Sequence, residues 1–370
     1  MNYRILGILR DLKKKKPKFL KTSYLKSKFA SWIFNIWFIN YKKNFKLEET
    51  NRVLVVTLEA MGDNVVKTTS FKIMAEHYGK ENFYIMCKDK WEEIFKTLGY
   101  NVLGYKNLKN PIKDVKNRIK FFKKVNSLNF KKVILFENLG NGGVLDNIIC
   151  KDKIGICGSI ENKHMKVIKI DTENSYVLDR HIELLNGLFG KRYSREELRP
   201  DMREMFNEKK YKDIITIGTG ASTEEKTLPI KNMGEIVKML SIRYPNKKLI
   251  LLGNGRKQEE YARKLIKYCS CNNLESVIGK VSLLETIRLI NDSDFFIGYD
   301  SGLSNVAFSL RKRYICLFWT DMTIWQHPFN DLVILKGNGK NPENDGYHGT
   351  DILNSIKVSQ VIEALNYLKL

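Results

Sequence analysis

Along most of the chain, short and almost wholly apolar runs alternate with longer segments whose apolar residues recur at helical spacing. From Arg52 onward, "RVLVVT" (52–57), "NFYIMC" (82–87), "KKVILF" (131–136) and "MKVIKI" (165–170) read as strands. Segments 64–78, 91–99, 112–128 and 176–189 read as helices, with 112–128 basic and amphipathic. Strands that are apolar throughout imply a parallel sheet covered on both faces, so one Rossmann-like domain is expected over roughly 50–190. A charged interval, 190–213, breaks the rhythm, and the pattern then restarts with strands at 214–218, 247–253, 294–298 and 313–318. Helices fall at 230–244 and 257–269, and Ser282 with Glu285 forms a capping box for the helix that follows. The stretch 337–351, rich in Gly, Asn and Asp, reads as a loop. The expected division is an extension over 1–50, domains over 51–195 and 205–355, and a C-terminal helix over 356–370.

Charge changes the picture at one end. The formal net charge is +23, and residues 1–50 supply +10 of it, with 13 Lys/Arg against 3 Asp/Glu. There Lys13 to Lys16, Lys18, Lys21, Lys26 and Lys28 lead into "FASWIFNIWFINY" (29–41). This apolar run is too short to span a bilayer, and it starts too late and lacks the cleavage site of a signal peptide. Trp32, Phe34, Trp37, Phe38 and Tyr41 between basic flanks fit a helix lying on an anionic membrane surface. The other reading is a helix packed on the first domain with solvated lysines. A nucleic-acid partner is not expected, because no helix-turn-helix, RRM or zinc-finger pattern accompanies the charge. Six cysteines and five histidines fall at no metal-ligand spacing, so neither a metal site nor a disulfide framework is expected.

Candidate chemistry gathers where strands end. "GYDSGLSNVAFSL" (298–310) runs from a strand through Asp300, Ser301 and Gly302 into a helix, and N–H groups at that start suit a diphosphate. It is equally an ordinary turn and N-cap. In "LEAMGDNVVKTT" (58–69), Asp63 stands beyond the first strand, placed either to N-cap the next helix or to act as general base toward a hydroxyl. No Gly-x-Gly-x-x-Gly is present there, which disfavours a nicotinamide enzyme. "GTGASTEEKTLP" (218–229) follows another strand and offers Gly220 for close backbone approach, Ser222 and Thr223 hydroxyls, and Lys226 as a cation for phosphate. "GNGRKQEE" (253–260) places Glu259 or Glu260 to bond a ribose diol, or simply to sit exposed in a first helical turn. In "LFWTDMTIWQHP" (317–328), Trp319, Thr320, Asp321 and His327 can line a cleft, and Trp319 and Trp325 can equally serve as interdomain packing.

With these stretches in this order, residues 52–330 resemble the lipopolysaccharide heptosyltransferases, glycosyltransferase family 9. The resemblance rests on "MGD" at 61–63, "GAS…K…LP" at 220–229, "LLG…E" at 251–260, "GKVSLLET" at 279–286 and "DSGLSNVA" at 300–307. It implies an α/β chain of the GT-B fold, two Rossmann-like domains facing across a cleft with the acceptor on the first. It further implies Asp63 as catalytic base, Lys226 as the donor-phosphate lysine, Asp300-Ser301-Gly302 as the diphosphate loop and Glu259 or Glu260 as the ribose acid. Asn305 stands where the family usually has His, and Leu228 precedes Pro229 where Trp is common. The implied activity is inverting, metal-independent transfer of a sugar, ADP-heptose being the donor, to a lipid-linked glycan, with no resident cofactor. The implied place is the cytoplasmic face of the bacterial inner membrane. An epimerase acting on a nucleotide-sugar is the alternative within this fold.

Overall fold

In this computed structural model the described residues are 22–106, 111–136, 142–157, 166–170, 175–320, 324–339 and 348–370, and their strands form two all-parallel six-stranded sheets. The first contains β1 (Val53–Thr57), β2 (Phe83–Lys88), β3 (Asn101–Tyr105), β4 (Lys132–Leu135), β5 (Asp152–Cys157) and β6 (Lys166–Lys169), ordered β3-β2-β1-β4-β5-β6. The second contains β7 (Ile214–Gly218), β8 (Lys248–Leu252), β9 (Leu274–Ser276), β10 (Phe296–Tyr299), β11 (Tyr314–Leu317) and β12 (Leu332–Leu335), ordered β12-β11-β10-β7-β8-β9. Counted from its own first strand, each sheet has the order 3-2-1-4-5-6, the doubly wound Rossmann arrangement. Each sheet therefore has a crevice where its strand order reverses, beside β1 and β4 in one and β7 and β10 in the other.

The strand interiors explain this layering. All five residues of β1, and likewise of β7, are buried, so helices must cover both faces. In register, Val55 lies beside Ile85 and Ile134, and Ile217 beside Leu251 and Ile297. Each such fully buried aliphatic side chain contributes about 1.5–3 kcal/mol. The C-terminal helix buries Val361, Ala364 and Leu365 in the second core.

The N-terminal helix, α1 (Thr22–Asn44), packs on the first domain against α2 (Pro111–Asn126). Phe34 and Phe38 are buried in a core of first-domain residues, and Phe34 stands 5.8 Å from Phe122 with the Arg118 guanidinium 4.4 Å from its ring. Two of the five aromatic residues expected to face lipid are thus inside the protein. Among the described side chains of α1, Trp32, Ile33, Ile36 and Ile39 are large, apolar and exposed. Lys13 to Lys16, Lys18 and Lys21 lie outside the described residues.

The two domains meet at a glycine contact. A short helix at Met61–Val65 crosses the helix Gly302–Ser309, and a Cβ on Gly62 would lie 3.0 Å from the Gly302 Cα and 2.7 Å from Asn305 Nδ2. Nearby, Ser309 Oγ donates to the Val65 carbonyl (3.1 Å), Met202 N–H to the Ser309 carbonyl (2.7 Å) and Val177 N–H to the Ile324 carbonyl (3.1 Å). Arg199 forms an ion pair with Asp331 across the same boundary. We expect Gly62→Ala to destabilise the protein by about 1–3 kcal/mol, because backbone has to move. A Cβ on Gly302 would meet the mobile tip of Met61 at 2.9 Å, so Gly302→Ala should cost less. Thermal denaturation of the two variants measures the difference, and a larger loss in Gly302→Ala would contradict it.

Candidate active site

Loops leaving the carboxyl ends of β7 and β10 converge beside the second sheet's reversal point. They meet the segment that leaves β1, and together they enclose a cleft of about 800 Å³. Gly220, Ala221, Ser222 and Lys226 line it from the loop after β7, and Asp300, Ser301, Gly302, Leu303 and Asn305 from the turn after β10. Gly220 permits the tight fit, since a Cβ there would fall about 1.9 Å from the side chain of Gln258.

The floor of this cleft is suited to an anion. Ser301 is the N-cap residue of the helix Gly302–Ser309, and its extended backbone turns the chain into the first turn. The Ser301 hydroxyl does not cap that helix, and Oγ is buried without a partner among the described residues. The leading N–H groups of a helix have no internal acceptors, so they present partial positive charge to the cleft. Lys226 adds a full charge: its Nζ lies 3.0 Å from Asp300 Oδ2 and 4.6 Å from the centre of the Trp319 ring. Trp319 Nε1 donates to the same carboxylate oxygen at 2.9 Å. Asp300 therefore holds the cation at the site rather than binding an anion itself. Without that pairing a carboxylate beside a diphosphate would be repulsive.

Across the cleft stands Asp63, partly buried in the short helix Met61–Val65. Its Oδ2 accepts the Ala60 N–H at 3.2 Å, so its carboxylate reaches back to the helix start rather than forward to cap the next one. Burial raises its pKa above the ordinary 3.8, the Glu59 charge raises it further, and Lys67 and the Ala60 N–H oppose them. Beneath it, a break between Val65 and Thr68 divides the helix expected over 64–78. At this break the buried Lys67 ammonium donates to Thr57 Oγ1 (2.9 Å) and to Glu59, and lies 5.4 Å from the Phe136 ring centre. Thr57 in turn donates to Asn64 Oδ1 at 2.6 Å. The end of β1 and the Asp63 turn are thereby tied together by buried polar contacts.

Of the residues singled out in the sequence, the cleft gathers Asp63, Gly220, Ser222, Lys226, Asp300, Ser301, Gly302 and Asn305. Thr223 and Glu260 line instead a neighbouring hollow of about 900 Å³, where Glu260 pairs with Lys264 at 3.0 Å. Glu259 is exposed and lines neither. The reason is helical geometry: from the helix start at Arg256, each residue turns the side chain by about 100°, and Gln258 is the one aimed at the cleft. Gln258 Oε1 accepts the Asn254 N–H at 2.8 Å. Lys90, Trp91 and Trp325 also line the cleft. Asp321 lies outside the described residues, Thr320 is half-buried, and His327 is buried behind the floor. Among the described residues no cluster of three or more His, Cys, Asp or Glu is arranged to hold a metal ion.

Comparison with known proteins agrees with this geometry. Residues 118–355 match the model of glycosyltransferase family 9 (heptosyltransferase). Over 291 residues, 72% of this chain and 83% of the relative, the sequence is 23% identical to lipopolysaccharide heptosyltransferase 1 of Campylobacter coli. The fold is similar to that of the E. coli heptosyltransferase WaaC, solved with ADP: the TM-score is 0.69 at 18% identity, covering 85% of this chain and 99% of that one. The same protein solved with ADP-2-deoxy-2-fluoro heptose gives 0.67 at 17% identity, covering 85% and 99%. E. coli ADP-heptose lipopolysaccharide heptosyltransferase II gives 0.63 at 14% identity, covering 86% and 98%. Two Rossmann-like domains meeting at such a cleft are the GT-B fold, and the family match extends over well over half of the sequence. The chain belongs to glycosyltransferase family 9 and is a glycosyltransferase.

Proposed function

We propose that the protein transfers heptose from ADP-heptose to a hydroxyl of a lipopolysaccharide-core glycan, with inversion and without a metal ion. The observation that carries this reading is the opposition of a carboxylate and an anion cradle across one cleft. Asp63 takes the proton of the acceptor hydroxyl as its oxygen bonds to the anomeric carbon. The bond from that carbon to the diphosphate breaks on the opposite side, and ADP departs with the electron pair. Lys226, the Ser301 hydroxyl and the N–H groups of the helix Gly302–Ser309 stabilise the charge that grows on the leaving group. Gln258, rather than Glu259 or Glu260, is placed to bond the nucleotide. The donor assignment draws support from the ADP and ADP-sugar ligands of the E. coli relative, and the acceptor from the name of the Campylobacter relative.

The reading also places the enzyme on the membrane that carries its acceptor. No described helix is long and apolar enough to cross a bilayer. The exposed Trp32, Ile33, Ile36 and Ile39 of α1 and the basic residues of the same region suit an anionic interface.

Purified protein supplied with ADP-heptose and a lipid A–core acceptor should release ADP only when the acceptor is present. Asp63→Ala should lower the rate by about 10²–10⁴-fold. Isomerisation of the nucleotide-sugar without acceptor, with no net release of ADP, would point to epimerase-type chemistry, and an unaffected Asp63→Ala would remove the base. Because the base acts ionised and its pKa is raised, kcat/KM should climb with pH through a value above 3.8. Glu59→Gln, losing a negative neighbour, should move that limb to lower pH, and Lys67→Met should move it higher. A limb unmoved in both variants would show that another group titrates. Replacing Trp32, Ile36 and Ile39 together by Ser should weaken binding to vesicles containing anionic lipid by roughly tenfold or more, with turnover of a soluble acceptor fragment unchanged. Equal binding by the variant would count against membrane docking through this face.

A further inference from the structure

Behind the cleft floor, His327 is buried between the two domains. Its ring stacks on Phe308, with centroids 3.6 Å apart and planes within 8°. Nδ1 lies 2.7 Å from the Tyr176 hydroxyl, and Nε2 lies 3.3 Å from Asn305 Oδ1. Burial, aided by the nearby Arg199 charge, pushes the His327 pKa down to about 3, so the ring is neutral and carries one hydrogen. An amide oxygen can only accept, so that hydrogen belongs on Nε2. Nδ1 is then an acceptor, and Tyr176, whose pKa burial raises, donates to it.

The direction of this chain decides what the cleft receives. With Oδ1 held by His327, Asn305 Nδ2 is left facing the cleft, 2.7 Å from where a Cβ on Gly62 would sit. No described residue accepts a hydrogen bond from it. Asn305 is one helical turn beyond Ser301, whose hydroxyl is also without a described partner, so both groups belong to the same face as the open N–H groups. A freely turning amide would offer its oxygen to an anion as often as its nitrogen, and only the nitrogen is attractive.

We propose that Tyr176 and His327 are positioning residues that lock the Asn305 amide with its NH₂ toward the diphosphate of the bound nucleotide. This rests on the nucleotide-sugar reading of the cleft. It gives the site a neutral donor whose orientation depends on a residue of the first domain, Tyr176, although the nucleotide loops belong to the second. Diphosphate binding is thereby coupled to domain contact.

Two measurements test it. In ¹⁵N-histidine-labelled protein without ligand, the His327 resonances, assigned by their loss in His327→Gln, should report hydrogen on Nε2 and none on Nδ1. The opposite tautomer would turn the Asn305 carbonyl to the cleft and overturn the proposal. Calorimetric titration with ADP should then show Asn305→Ala weakening binding by roughly 5–10-fold, about one hydrogen bond, and Tyr176→Phe by about twofold, the cost of selecting one of two amide orientations. The double variant should bind no more weakly than Asn305→Ala alone. Additive losses would mean that Tyr176 does not act through Asn305, and would overturn the proposal while leaving the nucleotide site standing. Wild-type protein that binds no ADP would overturn the nucleotide reading and this inference with it, a result distinct from additive losses.

Discussion

Where the helix Met61–Val65 crosses the helix Gly302–Ser309, the backbones come so close that a Cβ on Gly62 would lie only 3.0 Å from the Gly302 Cα. The contact is small, but it fixes the distance between the carboxylate that follows β1 and the helix start that follows β10. Everything chemically useful in the cleft is referred to that distance. Apolar packing supports it, since the inner cores of the two domains run together through Leu198, Met202 and Phe308. Hydrogen bonds to the Val65 and Ser309 carbonyls then fix the angle at which the helices cross.

Around this contact, charges are kept in opposed pairs instead of being left to solvent. Asp300 holds Lys226 at the anion floor, and Glu59 holds Lys67 below the Asp63 turn. Neither pair is wholly exposed, so each is screened less than a surface pair would be. The consequence is a division of labour. One lysine lines the cleft, and the other sets the electrostatic surroundings of the Asp63 carboxylate without reaching the cleft.

Much of this was legible in the sequence, and the exceptions share physical causes. Strands β1, β7 and β10, at the centres of their sheets, are buried on both faces and read as continuous apolar runs. β3, β9 and β12 are edge strands with solvent-facing residues such as Val102, Glu275 and Ile334, and the interior strand β5 is broken by Asp152, Lys153 and Gly155, so none of the four gives such a signal. The Ser282 cap was readable and holds, its Oγ accepting the Glu285 N–H at 3.1 Å. The reciprocal half is absent, because the Glu285 carboxylate is drawn 75 residues away to Lys210 at 2.7 Å. Asp63 and Lys226 could be found because each follows a strand that the pattern reveals. Gln258 could not be told from Glu259 and Glu260, since one residue of helix register changes which side chain turns inward. Lys67, and the burial of His327 behind the cleft it was expected to line, were hidden for another reason: their contacts come from segments far apart in sequence or from a helix break that periodicity does not register.

The way α1 is attached has a mechanical result. Its anchoring rings, Phe34 and Phe38, sit entirely among residues of the first domain. Any surface gripped by the opposite side of that helix becomes a fixed frame for the first sheet alone. On the proposed function, rotation about the glycine pivot would then swing the loops after β7 and β10 as a lever over a stationary first domain, so that the donor is carried to the acceptor and never the reverse.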